Sequence, residues 1–368
     1  MSNNVQLNKI KELINREKYE LAIGMCDELI TTLSDAGDVI AVYDSRAEAS
    51  YLLGNFDESI HDLDHLIKLC PADPDLLCNK ANILVGMSNF ADAIISYTES
   101  LEIEPENIDT YYERAFAYLS NEEFENAIAD YNKVISSEPE SLGVYYNRAR
   151  ANFELGNYAM GISDLDQVIS FDPNYANAYY NRARGYHEIG KINHAIDDYS
   201  QAIKINSEYS GAYYNRAQLY FELELFELAL SDINLAILLY PDNPSAYCNR
   251  GSILIEFKRY EEAAVDYTRA IELGIEDSMY SYYRRAKVYY LLGCYEEAIN
   301  DLNMLIKDYP DYAEAYYNRG YTYLTVDKYA QAIADFEKSL SLEANNDASI
   351  ENLAIAKQKL AKSTKCVF

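Results

Sequence analysis

A small residue recurs through this sequence with a stride of 34. It stands at Ala47, Ala81, Ala115, Ala149, Ala183, Ala217 and Gly251, and then, after one step of 35, at Ala286 and Gly320. A second small column follows twelve residues behind: Ser59, Ala93, Ala127, Gly161, Ala195, Ala229, Ala263, Ala298 and Ala332. Two columns in phase over nine units constrain the fold more than length does. A chain of 368 residues would otherwise divide into two or three compact domains. Self-similarity at a fixed period means a stack of equivalent units instead. A unit this short cannot bury its apolar stripe alone, so its neighbours must cover it.

Each unit spells two helices. From Tyr179 to Ile189, Tyr179, Ala183 and Tyr186 fall at i, i+4 and i+7, one helical face. Gly190 then ends the helix. His194, Ala195, Tyr199, Ala202 and Ile203 form the stripe of the second helix. Pro71, Pro105, Pro139, Pro173, Pro241 and Pro310 close most units and start the turn to the next. Small side chains let two helix backbones approach closely, so both columns read as packing positions. The predicted fold is all-α.

Tyr-x-x-x-Ala, the later Tyr, the Gly turn, the second Ala, the aromatic after it and the closing Pro together resemble the tetratricopeptide repeat, with Tyr where that family often has Trp. The resemblance implies a right-handed superhelical solenoid of helix-turn-helix repeats. About ten hairpins span residues 1–346. The first, at 3–36, is divergent, and only its second helix (Tyr19, Ala22, Cys26, Leu29) fits well; nine clear ones span 40–346. Ser207, Ile275 and Ala344 replace the closing Pro, and the extra residue near Gly274–Ser278 is expected in a loop. Residues 347–368 are expected to be a capping helix and short tail. Its apolar stripe is Ile350, Leu353, Ala354, Leu360 and Ala361, with Lys357, Lys359 and Lys362 toward the C-terminal end.

Two further columns carry chemistry. An Arg column runs through Arg46, Lys80, Arg114, Arg148, Arg182, Arg216, Arg250, Arg285 and Arg319. Sixteen residues on stand Asp62, Ser96, Asp130, Asp164, Asp198, Asp232, Asp266, Asp301 and Asp335. The one unit without Arg is the one without Asp, which points to pairing within a hairpin; pairing between neighbouring units stays open.

The other column is Asn79, Asn147, Asn181, Asn215, Asn249 and Asn318, interrupted by Ser45, Glu113 and Arg284. Tyr112, Tyr146, Tyr180, Tyr214, Tyr283 and Tyr317 accompany it, and Glu154, Glu188, Glu222 and Glu256 follow. Tyr146, Asn147, Arg150, Phe153 and Glu154 share one helical face. The resemblance implies that this face lines the concave surface of the superhelix. A carboxamide can hold a peptide backbone whatever its sequence, and Tyr offers rigid contact area with a polar tip. The arrangement is similar to the asparagine ladder in the repeat domain of O-linked N-acetylglucosamine transferases. The predicted peptide-binding residues are Asn147, Asn181, Asn215, Asn249, Asn318, Tyr146, Tyr180, Tyr214, Tyr317, Glu188 and Glu222. The competing reading is that Asn and Tyr bridge neighbouring hairpins.

Charge narrows the partner. With 31 Lys+Arg against 60 Asp+Glu, the net charge is −29, which disfavours nucleic acid and anionic membranes. The carboxylate clamp with which some family members grip acidic chaperone tails is not matched: its Lys sites are mostly Tyr or Cys here. The expected ligand is therefore a basic or neutral extended segment. The alternative is an acidic chaperone that shields a basic or aggregation-prone protein.

The six cysteines form no CxxC pair, and the N-terminus lacks the pattern of a signal peptide. Cys366 stands third from the end, where a prenylation box needs the fourth. These features point to a cytoplasmic protein without disulfides or lipid anchor. His61 and His65 have helical zinc-ligand spacing but no third ligand, and His187 and His194 are isolated. No metal, cofactor or enzymatic activity is expected.

Overall fold

The computed structural model describes residues 3–33, 35–275 and 278–365, and all regular structure among them is α-helical. The helices form two compact units, divided after Lys191. The first holds α1 (Asn3–Asn15), α2 (Tyr19–Ile30), α3 (Ala36–Leu53), α4 (Phe56–Leu69), α5 (Pro74–Gly86), α6 (Phe90–Ile103), α7 (Ile108–Ser120), α8 (Phe124–Ser137), α9 (Leu142–Glu154), α10 (Tyr158–Phe171) and α11 (Ala176–Glu188). The second holds α12 (Ile192–Ile205), α13 (Ser210–Glu222), α14 (Phe226–Leu239), α15 (Pro244–Glu256), α16 (Tyr260–Glu272), α17 (Ser278–Leu291), α18 (Tyr295–Asp308), α19 (Ala313–Thr325), α20 (Tyr329–Leu342) and α21 (Asp347–Lys365). Within each unit, consecutive helices pack as hairpins, and each hairpin packs on the next.

Every member of both small columns is buried. The glycines show why. A Cβ on Gly251 would sit 3.0 Å from the Tyr267 ring, and one on Gly320 would sit 3.1 Å from Phe336. The small residue of the first helix is thus the seat for the aromatic ring of the second. Phe153, placed on the ligand face by its spacing, instead fills a helix contact: its ring lies where Cβ atoms on Gly161 and Gly185 would be.

All ten turns within hairpins contain one residue in the left-handed region. Glycine serves at Gly54, Gly156, Gly190 and Gly293, while Glu17, Ser88, Glu122, Glu224, Lys258 and Asp327 adopt the same conformation without it. Repeated geometry therefore overrides a local cost of roughly 1–2 kcal/mol at each non-glycine position. The first helix of the array is better formed than its sequence resemblance indicates. Leu7, Ile10 and Ile14 give α1 a buried stripe that packs with Ala22, Cys26 and Leu29. The next hairpin begins ahead of residue 40, with Asp35 capping α3 by accepting from the amides of Gly37 and Asp38. The inserted residue falls between α16 and α17, where residues 276 and 277 lie outside those described, as does Cys366.

The Arg column does more than pair within its hairpin. Arg46, Arg114, Arg148, Arg216, Arg250, Arg285 and Arg319 each donate through Nε and Nη2 to both oxygens of the Asp sixteen residues on. The third nitrogen, Nη1, reaches back to the preceding hairpin: Arg114 to Thr98, Arg148 to Asn132, Arg216 to Ser200, Arg250 to Asn234 and Arg319 to Asn303. Arg182 likewise meets Asp166 at 2.6 Å. Tyrosine rings flank the guanidinium: Tyr111 and Tyr118 about Arg114, Tyr213 and Tyr220 about Arg216, Tyr316 and Tyr323 about Arg319. The acceptor carboxylates are buried, Asp232 at 5% exposure and Asp62 at 1%.

The end helix departs from the stripe read in its sequence. Ser349 and Ala356 are its buried residues, with Leu353 and Leu360 half-buried. Ile350, Ala354 and Ala361, expected to dock, are exposed instead. α21 turns toward α20 the face that includes Ser349, which meets Ser339 Oγ at 3.1 Å.

Deleting a guanidinium leaves a buried carboxylate without its partner. Arg216→Ala is expected to cost about 3–5 kcal/mol. Arg259→Ala, which removes an exposed pair with Glu262, is expected to move the midpoint far less. Chemical denaturation of the two variants side by side checks this; equal midpoints would contradict it.

Candidate peptide-binding face

The predicted Asn and Tyr residues are half-buried on the first helices, while Glu154, Glu188, Glu222 and Glu256 are exposed near the ends of those helices. Asn and Tyr are not independent ladders. Asn181 Nδ2 donates to Tyr146 Oη at 2.9 Å, thirty-five residues back, and to its own helix at Asn177 O, also 2.9 Å. Tyr112 and Asn147, and Tyr283 and Asn318, are neighbours in the same register. Tyr317 and Asn352 repeat the bond at 3.5 Å, with α21 supplying the Asn. Tyr146 and Tyr317 thus each tie their repeat to the stretch that follows it, the bridging role the sequence left open.

Both amide protons of Asn181 are therefore engaged inside the protein. Asn318 likewise donates to its own helix, at Glu314 O, 2.9 Å. What Asn181 offers outward is its carbonyl oxygen. Asn249 differs. The Tyr214 hydroxyl accepts from Gln218 Nε2 at 3.2 Å, and Asn249 Nδ2 is buried without a partner.

The interruptions of the column are coupled substitutions. Cys78 stands in the Tyr column, and the position thirty-five on is Glu113; Cys248 does the same, and the position thirty-six on is Arg284. At these two places the phenol and its Asn are lost together, whereas Asp44 stands in the Tyr column with Asn79 retained. Cys78 Sγ turns to Ser100 and Thr110 instead, and Cys248 Sγ to Ser281. The Glu113 carboxyl is half-buried, and burial first, then Asp109, pushes its pKa above the usual carboxylate range. Arg284 lies over the Tyr280 ring, with its Nε buried and unpartnered.

Clefts open between successive first helices. In the first unit a cleft of about 280 Å³ is lined by Asp44, Glu48, Tyr51, Asn79 and Asn82, among others. In the second, the equivalent cleft of about 210 Å³ is lined by Lys287, Tyr290, Tyr317, Asn318 and Tyr321, among others. The sequence reading missed Asp44, Glu48, Tyr51, Lys287, Tyr290 and Tyr321. The signal was available: Asp44 stands in the Tyr column, and the others fall one and four residues after the small column, in the stride already found.

His65 stacks on the Tyr43 ring at 4.3 Å, and His61 is exposed. Among the described residues, no three His, Cys, Asp or Glu side chains converge as metal ligands, and no helix is long and apolar enough to cross a membrane.

The fold and its paired ladders define a helical-hairpin repeat protein, a class built for presenting extended surfaces. Sequence profiles described as "Tetratricopeptide repeat" match residues 74–107, 112–176, 214–278 and 313–346, and one described as "TPR repeat" matches 183–224 and 286–326. The chain belongs to the tetratricopeptide repeat family, and it is a protein-interaction scaffold of that kind. Its structure is similar to the C-terminal part of a TPR repeat-containing protein from Cytophaga hutchinsonii, with 20% identity, 66% of this chain and 99% of that one covered, and a TM-score of 0.57. It is also similar to a tetratricopeptide repeat protein from Parabacteroides merdae, with 23% identity, 66% and 95% covered, and a TM-score of 0.53. These likenesses establish the all-α repeat fold. No curated protein matches.

Two outcomes follow from the pairings. Tyr146→Phe removes the acceptor of Asn181 and is expected to cost about 1 kcal/mol, read by chemical denaturation. Glu113→Gln tests the raised carboxyl. The native state holds the Glu113 proton more tightly than the unfolded chain, so wild type gains stability as pH falls through the raised pKa, and loses it again as pH rises. The stability difference between Glu113→Gln and wild type is expected to shift in favour of wild type between neutral pH and the ordinary carboxylate range. A pH-independent difference would show no linked proton.

Proposed function

We propose that the chain is an adaptor that holds an extended, basic segment of another protein along the face formed by its first helices. One observation carries this reading. At Asn181 one amide proton is held by the preceding repeat and the other by its own helix, so the side chain is left with an acceptor rather than a donor to offer. Exposed carboxylates stand near the ends of the same helices, Glu154 and Glu188 in the first unit and Glu222 and Glu256 in the second. Carbonyl oxygens accept from the backbone N–H groups of any extended chain, and carboxylates add a preference for Lys and Arg.

The two clefts supply anchors of different kinds. Asp44 and Glu48 with the exposed Tyr51 ring suit a basic side chain. Tyr290, Tyr317 and Tyr321 suit an apolar or aromatic one. In this reading Asn147, Asn181, Asn215, Asn249 and Asn318 give the register, with Tyr146, Tyr180, Tyr214 and Tyr317 beside them on the same helices.

The net charge of −29 favours a second reading, a shield that attracts basic or aggregation-prone proteins over its whole surface. The two separate on where charge is removed. Converting Glu154, Glu188, Glu222 and Glu256 together to Gln is expected to weaken binding of an unstructured Lys/Arg-rich peptide on the order of tenfold, by fluorescence anisotropy. Converting Glu125, Glu227, Glu261 and Glu296, exposed on second helices, changes the charge equally. It is expected to leave affinity within about twofold. Equal losses from both sets would favour the shield, and no loss from either would remove both readings.

A further inference from the structure

The arginines divide by what they meet. The chain has fourteen, and eleven form ion pairs with Asp or Glu: the eight of the ladder, Arg16, Arg259 and Arg269. The other three, Arg150, Arg184 and Arg284, meet no carboxylate among the described residues, and all three lie on first helices. With 60 acidic residues for 31 basic ones, a guanidinium without a carboxylate is the exception here.

Arg150 and Arg184 form a set. They stand one residue after the small column on α9 and α11, 34 apart, and both are exposed. Both neighbour the Tyr146 phenol, Arg150 from the same helix and Arg184 from α11. The bond from Asn181 to Tyr146 holds the two helices in that register. Arg150 Nη1 reaches Asn147 Oδ1 at 3.4 Å, so at this repeat a guanidinium meets the carboxamide acceptor and its other nitrogens remain as donors. Glu154 and Glu188 follow one turn on, exposed, and pair with neither. Base before acid is the weaker order for pairing at i and i+4.

Two such cations work against a uniformly basic ligand. A segment of Lys and Arg drawn to carboxylates elsewhere on the face meets like charge at α9 and α11, and a segment with an acidic side chain there escapes that cost. Each Arg lies about 6 Å along its helix from the Glu that follows. Residues two apart in an extended chain are separated by about 7 Å. An acid and a base at that spacing therefore match the Arg and the Glu together.

We propose that Arg150 and Arg184 jointly bind a side-chain carboxylate of the extended segment, so that the ligand places an acid two residues from a Lys or Arg at this point. The proposal rests on the peptide-binding reading of the first helices and adds the position at which a basic ligand must turn acidic.

Fluorescence anisotropy of the full chain with three unstructured Lys-rich peptides tests it. One carries a central Glu, one carries Gln in its place, both amidated at the C-terminus, and the third is the Gln peptide with a free C-terminal carboxylate. The Glu peptide is expected to bind wild type about fivefold more tightly than the amidated Gln peptide, although it is the less basic of the two. In Arg150→Gln/Arg184→Gln the order is expected to reverse, because a Glu then only weakens attraction to an acidic protein. Both side chains are exposed, so the variant is expected to melt like wild type. The free C-terminus is expected to bring no gain. A Gln peptide that binds wild type as tightly as the Glu peptide, a preference for Glu that survives the double substitution, or a free C-terminus that substitutes for the Glu would each overturn the proposal and leave the basic-segment reading standing. If none of the peptides binds, that reading falls and this one falls with it.

Discussion

The guanidinium at the head of each repeat is the contact on which the stacking depends. A fork of two nitrogens holds the buried Asp of its own second helix, and the remaining nitrogen holds a polar group of the hairpin before, as in Arg148 between Asp164 and Asn132. Only a planar, three-nitrogen head can satisfy both at once. The pair is not an energetic surplus. At Asp301 burial outweighs the attraction of Arg285 and leaves the carboxyl above its usual range. Its contribution is geometric: it fixes the angle within a hairpin and the spacing to the last one, while alanine and aromatic packing supply the free energy.

Lys80 shows the same rule in its absence. Its ammonium keeps the backward contact, to Asp64 at 2.7 Å, and makes no fork. The forward position is Ser96, buried, so no carboxylate is left stranded. Leu77 and Leu84 stand where other repeats put tyrosines about the guanidinium, and both are buried. Three substitutions thus move together, each removing a group whose partner has gone.

The hairpins, both packing columns and the forward half of the Arg ladder were legible because they repeat one residue type at one stride. The backward half was not, because its acceptors vary: Thr98, Asn132, Asp166, Ser200, Asn234 and Asn303 share a position and a lone pair but no residue type. Likewise six of the ten intrahairpin turns carry no glycine to announce them. The end helix misled for a related reason. Ile350, Leu353 and Ala354 fall at helical spacing, but spacing does not say which of them meets the neighbouring helix, and the residues that bury are Ser349 and Ala356.

The Asn–Tyr pairs bring structure and recognition onto the same atoms. Tyr146 cannot serve as a free hot-spot phenol while its oxygen accepts from Asn181, and Asn181 cannot donate outward. A ligand on this face therefore meets a surface already rigid, with its donors withdrawn and its acceptors fixed at the repeat spacing. That rigidity lowers the entropy lost on binding, since these side chains are ordered beforehand. It also restricts what can bind. The ligand must bring the hydrogens, and an extended backbone carrying Lys or Arg brings the most of them per residue. The coupled replacements at Cys78 with Glu113 and Cys248 with Arg284 break the uniform ladder at two points, one acidic and one basic.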